Sequence, residues 1–80
     1  MNEYIATFHT HLAALMTSRA LTGLGVKAQM MPVPRKLSSS CGTCVRYQAE
    51  EPHLAAMDED VEAVYEKVGK EEYTLLMNDE

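Results

Sequence analysis

The stretch that decides the predicted fold covers residues 52–69 and reads PHLAAMDEDVEAVYEKVG. At about 100° per residue, its apolar residues fall on one side of a helical wheel and several acidic residues on the other. Pro52 suits a first helical turn, and Gly69 suits a helix end. The pattern predicts a helix here. Its buried side is expected to hold Leu54, Met57, Val61, Val64, Tyr65 and Val68, and its wet side Glu59, Glu62 and Glu66.

A second helix is predicted nearer the start of the chain. Thr10 can cap it, because a threonine hydroxyl accepts a hydrogen bond from a free first-turn N–H group. Gly25 can end it in the left-handed conformation that stops many helices. Its expected core-facing stripe consists of Leu12, Ala13, Met16, Ala20 and Leu24.

Four short segments rich in β-branched, aromatic or alternating apolar residues read as strands. They cover residues 4–8, 26–33, 45–49 and 73–77. The order strand, helix, strand, strand, helix, strand predicts an α+β fold, a ferredoxin-like βαββαβ sandwich. It would have a four-stranded antiparallel sheet with both helices on one face, in a single domain over residues 1–80.

Composition and charge narrow the function. The chain has 80 residues and a net charge of −5, and eleven of its twelve acidic residues lie after residue 49. A nucleic-acid binder shows a dense basic stripe with aromatics between, which is absent from this sequence. No apolar run is long enough to span a bilayer, and no signal peptide is visible. We therefore expect a cytoplasmic protein that binds neither nucleic acid nor membrane.

The segment most suggestive of chemistry is Cys41-Gly42-Thr43-Cys44, a Cys-x-x-Cys motif. This spacing suits a dithiol/disulfide couple or two ligands to a soft metal. The neighbouring Arg35 favours a thiolate over a thiol. Small polar residues complete the segment, and successive loop N–H groups can form an anion nest. The candidate binding residues are Arg35, Ser39, Ser40, Gly42 and Thr43.

Residues 32–42, PVPRKLSSSCG, resemble the signature Pro-x-Pro-Arg-x-apolar-Ser-Ser-x-Cys-Gly of the selenium/sulfur carrier protein-like family. The resemblance extends over nearly the whole chain, including the Tyr-Ile-Ala-Thr-Phe opening. It implies that Cys41 holds a persulfide or selenopersulfide and passes it on, as a carrier rather than a stand-alone enzyme. The implied partners are a donor resembling a cysteine desulfurase and an acceptor protein that uses selenium or sulfur.

The carrier hypothesis assigns roles within the segment. Arg35 would stabilise the thiolate and the bound chalcogen, and the N–H groups of Gly42 and Thr43 would help hold it. Cys44 departs from the single-cysteine form of the family, which has an apolar residue there. It would act as a resolving thiol that attacks Cys41, although Cys41 acting alone stays open.

Three alternatives stay open beside the carrier. A metal-binding module needs two ligands beyond the cysteines, and His9, His11 and His53 read as surface or capping residues. A small thiol oxidoreductase usually places Cys-x-x-Cys at a helix N-terminus, whereas here a strand follows. A non-catalytic interaction domain would carry its cysteines incidentally. We expect no metal and no cofactor.

Overall fold

A computed structural model describes residues 1–78 of the chain. Five strands form a single antiparallel sheet in the order β2-β3-β1-β4-β5, and one α-helix packs on it. No helix in this described part is long and apolar enough to cross a membrane. The elements are β1 (Asn2–Phe8), α1 (His11–Gly23), β2 (Lys27–Pro32), β3 (Thr43–Ala49), a 3₁₀ turn (Leu54–Ala56), β4 (Val61–Lys67) and β5 (Tyr73–Asn78).

The first helix forms where its end signals predict. The Thr10 hydroxyl accepts a hydrogen bond from the Ala13 N–H at 3.1 Å. At the other end Gly25 has a φ of 82°. Its left-handed backbone lets the Val26 N–H donate to the Leu21 carbonyl at 3.0 Å, which satisfies a carbonyl at the helix end. Local chemistry therefore sets both limits of α1.

The first three strands confirm the α+β class and the antiparallel sheet. β3 pairs with both β1 and β2, so these two strands run in the same direction with β3 between them. This is the split βαβ arrangement of ferredoxin-like folds. It places the β2–β3 connection at the end of the sheet where α1 begins.

The predicted second helix is wrong, and with it the count of four strands and two helices. Residues 54–56 form only a 3₁₀ turn, and β4 follows it. The central strand β1 explains the difference, because residues 4–8 are buried and their backbone polar groups need partners on both sides. β3 occupies one side and β4 the other. Of the predicted core positions, Val61 and Val64 are buried, Tyr65 is partly buried, and Val68 and Leu54 are exposed.

The predicted core face of the first helix is correct only at Ala13, which is buried. Leu12 is 64% exposed, and Met16, Ala20 and Leu24 also face solvent. Relative to the prediction, the helix is rotated about its own axis by about one residue position. Its buried side holds Ala13, Ala14, Thr17 and Leu21. Small alanines let the helix lie close to the aromatic residues of the sheet, and no second helix lies beside it to cover the larger apolar side chains. The core cluster on this side includes Tyr4, Ala6, Phe8, Val45, Tyr47 and Val64.

Candidate functional site

The Cys41 loop, residues 33–42, joins β2 to β3. The Val33 N–H donates to the Gly42 carbonyl at 3.2 Å and closes the loop at its base. Gly42 has a φ of 74°, a left-handed conformation that glycine adopts without strain. The space beside its Cα is open to 4 Å. The glycine therefore turns the chain from the loop into β3 and leaves room next to Cys41.

Two serines tie this loop to the centre of the sheet. The Ser39 hydroxyl donates to the Phe8 carbonyl of β1 at 2.8 Å. The N–H and the hydroxyl of Ser40 each donate to a carboxylate oxygen of Glu62 on β4, both at 2.9 Å. The loop is therefore held from both sides immediately before Cys41.

Glu62 is held in its charged form. Partial burial alone would raise the pKa of its carboxyl, but hydrogen bonds from Ser40 and Ser39 and the nearby His9 outweigh burial and lower it below 4.5. The His9 imidazole lies 3.6 Å from the carboxylate. Sequence reasoning placed Glu62 on a wet helix face and missed this role, because 22 residues separate it from Ser40.

Cys41 is partly exposed and packs at the rim of the core cluster on the α1 side of the sheet. Its sulfur lies 3.8 Å from the Ser39 hydroxyl oxygen. The thiol also donates to the Thr43 carbonyl at 3.6 Å. The Thr43 hydroxyl in turn lies 3.4 Å from His11 Nδ1, which joins this end of β3 to the first turn of α1. The structure thus brings together Ser39, Cys41 and Thr43 of the predicted site.

Cys44 has a different environment. It is 0% exposed, and its thiol donates to the Pro32 carbonyl at 3.7 Å. It pairs with Thr7 and Met31 on the sheet face away from α1. Burial and the neighbouring Cys41 raise its pKa from 9.0 to about 11. The two cysteines do not form an adjacent Cys-x-x-Cys pair, because Cys41 lies at the rim of the core cluster on the α1 side and Cys44 is buried on the other face of the sheet.

The predicted electrostatic role of Arg35 stays a prediction. Arg35 lines a cavity with Lys36, Lys70 and Tyr73, and Cys41 is not among the residues that line it. A tight turn, closed by the Leu37 N–H donating to the Pro34 carbonyl at 3.0 Å, redirects the chain between Arg35 and the serines. The charged side chain that hydrogen-bonds to the loop is instead that of Glu62.

Residues 1–78 contain no cluster of three or more histidine, cysteine, aspartate or glutamate side chains arranged to hold a metal ion. The three histidines do not meet at the thiols. His9 lies beside Glu62, His11 beside the Thr43 hydroxyl, and His53 in a left-handed backbone position before the 3₁₀ turn.

Comparison with known proteins identifies one family. A relative from Escherichia coli (strain K12), "Uncharacterized protein YtiA", is 31% identical over 45 residues, which are 56% of this chain. The aligned part spans about half, 53%, of that protein's length. No solved structure matches. The sequence model of a family described as "Putative Se/S carrier protein-like" matches residues 3–72, from β1 through the Cys41 loop to the turn before β5. By that match the chain belongs to the Se/S carrier protein-like family.

Proposed function

We propose that this protein carries a sulfur or selenium atom on Cys41 as a persulfide or selenopersulfide. The observation that carries the proposal is the contrast within the loop. Cys41 is accessible, is held in place and has a hydroxyl within reach of its sulfur, whereas Cys44 is buried. The family described above supports a carrier role in general terms.

Loading requires one thiol. The Cys41 thiolate attacks the outer sulfur of a donor persulfide, and a new S–S bond forms between Cys41 Sγ and that sulfur. The donor's own S–S bond breaks, and the donor leaves as a thiolate. The transferred sulfur keeps its oxidation state, so the step needs no added oxidant or reductant. An acceptor thiolate attacks the same outer sulfur to unload it and releases Cys41 as a thiolate. Selenium follows the same sequence.

Ser39 has the position to serve both forms of Cys41. In the thiol form the Ser39 hydroxyl donates to the Phe8 carbonyl, and its oxygen lies 3.8 Å from the Cys41 sulfur. When the sulfur is anionic, the same hydroxyl can rotate by one staggered position and donate to it. An anionic sulfur is repelled by the Thr43 carbonyl that now accepts its proton. We therefore assign to Ser39 the stabilisation of the anion that the sequence reading gave to Arg35.

On this proposal Cys44 is a buried structural thiol and takes no part in the transfer. A thiol whose pKa is about 11 is ionised in only about one molecule in ten thousand at pH 7, so it attacks a neighbouring persulfide slowly. Attack would also require the side chain to move across the strand. The carried atom therefore leaves by attack of an acceptor, and Cys41 works alone.

The proposed partners are a persulfide-bearing donor, of the cysteine-desulfurase class, and an acceptor with a reactive thiol. Gly42 leaves open space beside Cys41, which suits the approach of a partner's active-site sulfur. We propose the cytoplasm as the location, because free thiols persist in a reducing compartment. The residues in the carrier site are Cys41, Ser39, Ser40, Gly42 and Thr43.

The test is intact-mass spectrometry after incubation with a cysteine desulfurase and cysteine, or with selenocysteine. Wild type should gain the mass of one chalcogen atom, and the Cys41→Ser variant should gain none. The matched control is Cys44→Ser, which keeps a hydrogen-bond donor towards Pro32 and should load like wild type. Equal loading of wild type and Cys41→Ser would refute the carrier function.

A further test separates the carrier from a dithiol module. After loading, the protein is freed of donor and left without an acceptor. If Cys44 resolves the persulfide, wild type should lose its extra atom and gain an intramolecular disulfide, while Cys44→Ser stays loaded. On our proposal, wild type and Cys44→Ser both keep the extra atom, and they lose it at the same rate.

A further inference from the structure

Part of the Cys41 loop lines a concave site that is rich in positive charge, although the chain as a whole is negatively charged. Arg35 and Lys36 from the loop converge with Lys70 from the turn between β4 and β5 on a cavity of about 500 Å³. The chain has only seven lysines and arginines and a net charge of −5. Among the described residues, none of these three cations forms an ion pair. Glu71 also lines the cavity, so the lining carries three positive charges against one negative charge.

The shape of the sheet creates this site. β2 and β5 are its two edges, and in a flat sheet five strands wide they would lie roughly 19 Å apart. Yet Met31 of β2 and Tyr73 of β5 line the same cavity. Both belong to the sheet face away from α1, because they pair with Cys44 and Lys67 on that face. Twist and curvature of the sheet, with the loop and turn reaching over it, bring the two edges around one space.

The cavity walls are apolar on one side. Met31, Pro34 and the Tyr73 ring line it beside the cations. The Tyr73 ring packs edge-on against Tyr65, with ring centroids 6.5 Å apart, which fixes its orientation. A fixed aromatic ring offers a surface for a flat group. A small inorganic anion would leave these walls uncovered.

We propose that this cavity binds an organic phosphate, a phosphate group attached to a planar ring. Arginine presents a rigid fork of donors that matches phosphate oxygens, and lysines add compact positive charge. The cavity volume falls within the usual range of about 300–1,000 Å³ for small-molecule sites. Glu71, also at the cavity, accepts a hydroxyl or amine of the ligand and disfavours a second anionic group beside it. The site is independent of the carrier thiol.

The minimal probe of this chemistry is phenyl phosphate, titrated into the isotopically labelled protein and followed by NMR. Tyr73 ring and Met31 methyl signals should shift together and saturate. The dissociation constant should be at least about tenfold lower than for inorganic phosphate or for phenol alone, because only phenyl phosphate fills both the charged and the apolar side.

Variants locate the site. Arg35→Ala should weaken binding of phenyl phosphate by about tenfold or more, and Arg35→Lys by severalfold, because it keeps the charge and loses the fork. The matched control is Arg19→Ala, which removes an exposed arginine of α1 and should change affinity by less than about twofold. The variant Cys41→Ser should bind phenyl phosphate like wild type, so failure here is distinguishable from failure of the carrier function.

Three results would overturn the proposal. Equal weakening by Arg35→Ala and Arg19→Ala would show attraction to overall charge alone. Equal affinity for phenyl phosphate and inorganic phosphate would remove the role of the apolar wall. Shifts that fail to saturate, or that are absent at Tyr73 and Met31, would show that the cavity does not bind this class of ligand.

Discussion

Cys41 and Cys44 are separated by two residues, yet they lie in opposite surroundings. Cys41 is in a loop, partly open to solvent, beside a hydroxyl and open space. Cys44 is inside a strand, fully buried, and its pKa is raised to about 11. The difference arises at Thr43, where β3 begins and successive side chains start to alternate between the two faces. A Cys-x-x-Cys spacing therefore does not make a dithiol when a strand begins between the two cysteines.

The most direct test of this difference between Cys41 and Cys44 is alkylation of the native protein. With iodoacetamide at pH 8, Cys41 should react at least about a hundredfold faster than Cys44, because burial keeps the reagent from Cys44 and raises the pKa of its thiol to about 11. Peptide mapping by mass spectrometry gives the two rates separately. In denaturant the rates should converge. Comparable rates in the native state would mean that the buried position of Cys44 is wrong.

The second prediction concerns stability at high pH. The unfolded chain releases the Cys44 proton near pH 9, whereas the folded chain holds it to about pH 11. The folded state therefore keeps this stabilisation below pH 9 and loses it, by about 2 kcal/mol, as pH rises to 11. Cys44→Ala should unfold with a shallower pH dependence over this range, measured by urea denaturation.

Two controls accompany that measurement. Cys41→Ala should keep most of the steep wild-type dependence, because burial is the larger cause of the raised pKa of Cys44 and the neighbouring Cys41 is the smaller one. Burial, and next the nearby Tyr4, also raise the pKa of Tyr47, whose hydroxyl donates to the Pro52 carbonyl at 2.6 Å. Tyr47→Phe should therefore flatten the same region of the curve, and the double variant with Cys44→Ala should flatten it further. Identical curves for wild type and Cys44→Ala would contradict the prediction.

The smallest expected effect concerns the tether of the Cys41 loop, which is the pair of hydrogen bonds from Ser40 to the Glu62 carboxylate. Glu62→Gln should speed hydrogen exchange at the Ser40 amide by about fivefold, because a neutral acceptor holds the Ser40 N–H less tightly than a carboxylate. Glu59→Gln, which removes an exposed carboxylate of the preceding turn, should leave it unchanged.

The same tether has a defined pH dependence. The pKa of Glu62 is lowered in the folded protein, so its contribution is complete above the usual 4.5 and is lost as pH falls through the lower folded value. Amide exchange at Ser40, corrected for the intrinsic rate, should therefore accelerate below pH 4.5 in wild type and less in Glu62→Gln. A flat profile in wild type would show that the carboxylate does not hold the loop.

Some features could be predicted from sequence because their causes are local. The Thr10 cap and the Gly25 stop fix α1 through hydrogen bonds within five residues. The sequence also predicts the serines before Cys41 in the site, and the Ser39 hydroxyl lies 3.8 Å from the Cys41 sulfur. In each case the residue type and its immediate neighbours are sufficient.

The failures have long-range causes. The segment before Val68 has helical periodicity, but β1 needs a second neighbour and β4 supplies it. The orientation of α1 depends on how closely Ala13 and Ala14 approach the sheet. A helical wheel carries no information on the distance between a helix and a sheet. Glu62 was missed because only the strand pairing brings it to Ser40.

The anchoring of the Cys41 loop has a consequence for the order in which the chain is made. Synthesis proceeds from the N-terminus, so Cys41 emerges before Glu62. The Phe8 carbonyl is already present by then, but β4 has yet to be added to the sheet. A nascent chain that stops before residue 62 thus bears Cys41 without the carboxylate that fixes its loop. The loop gains all of its anchoring hydrogen bonds only when β4 docks on β1.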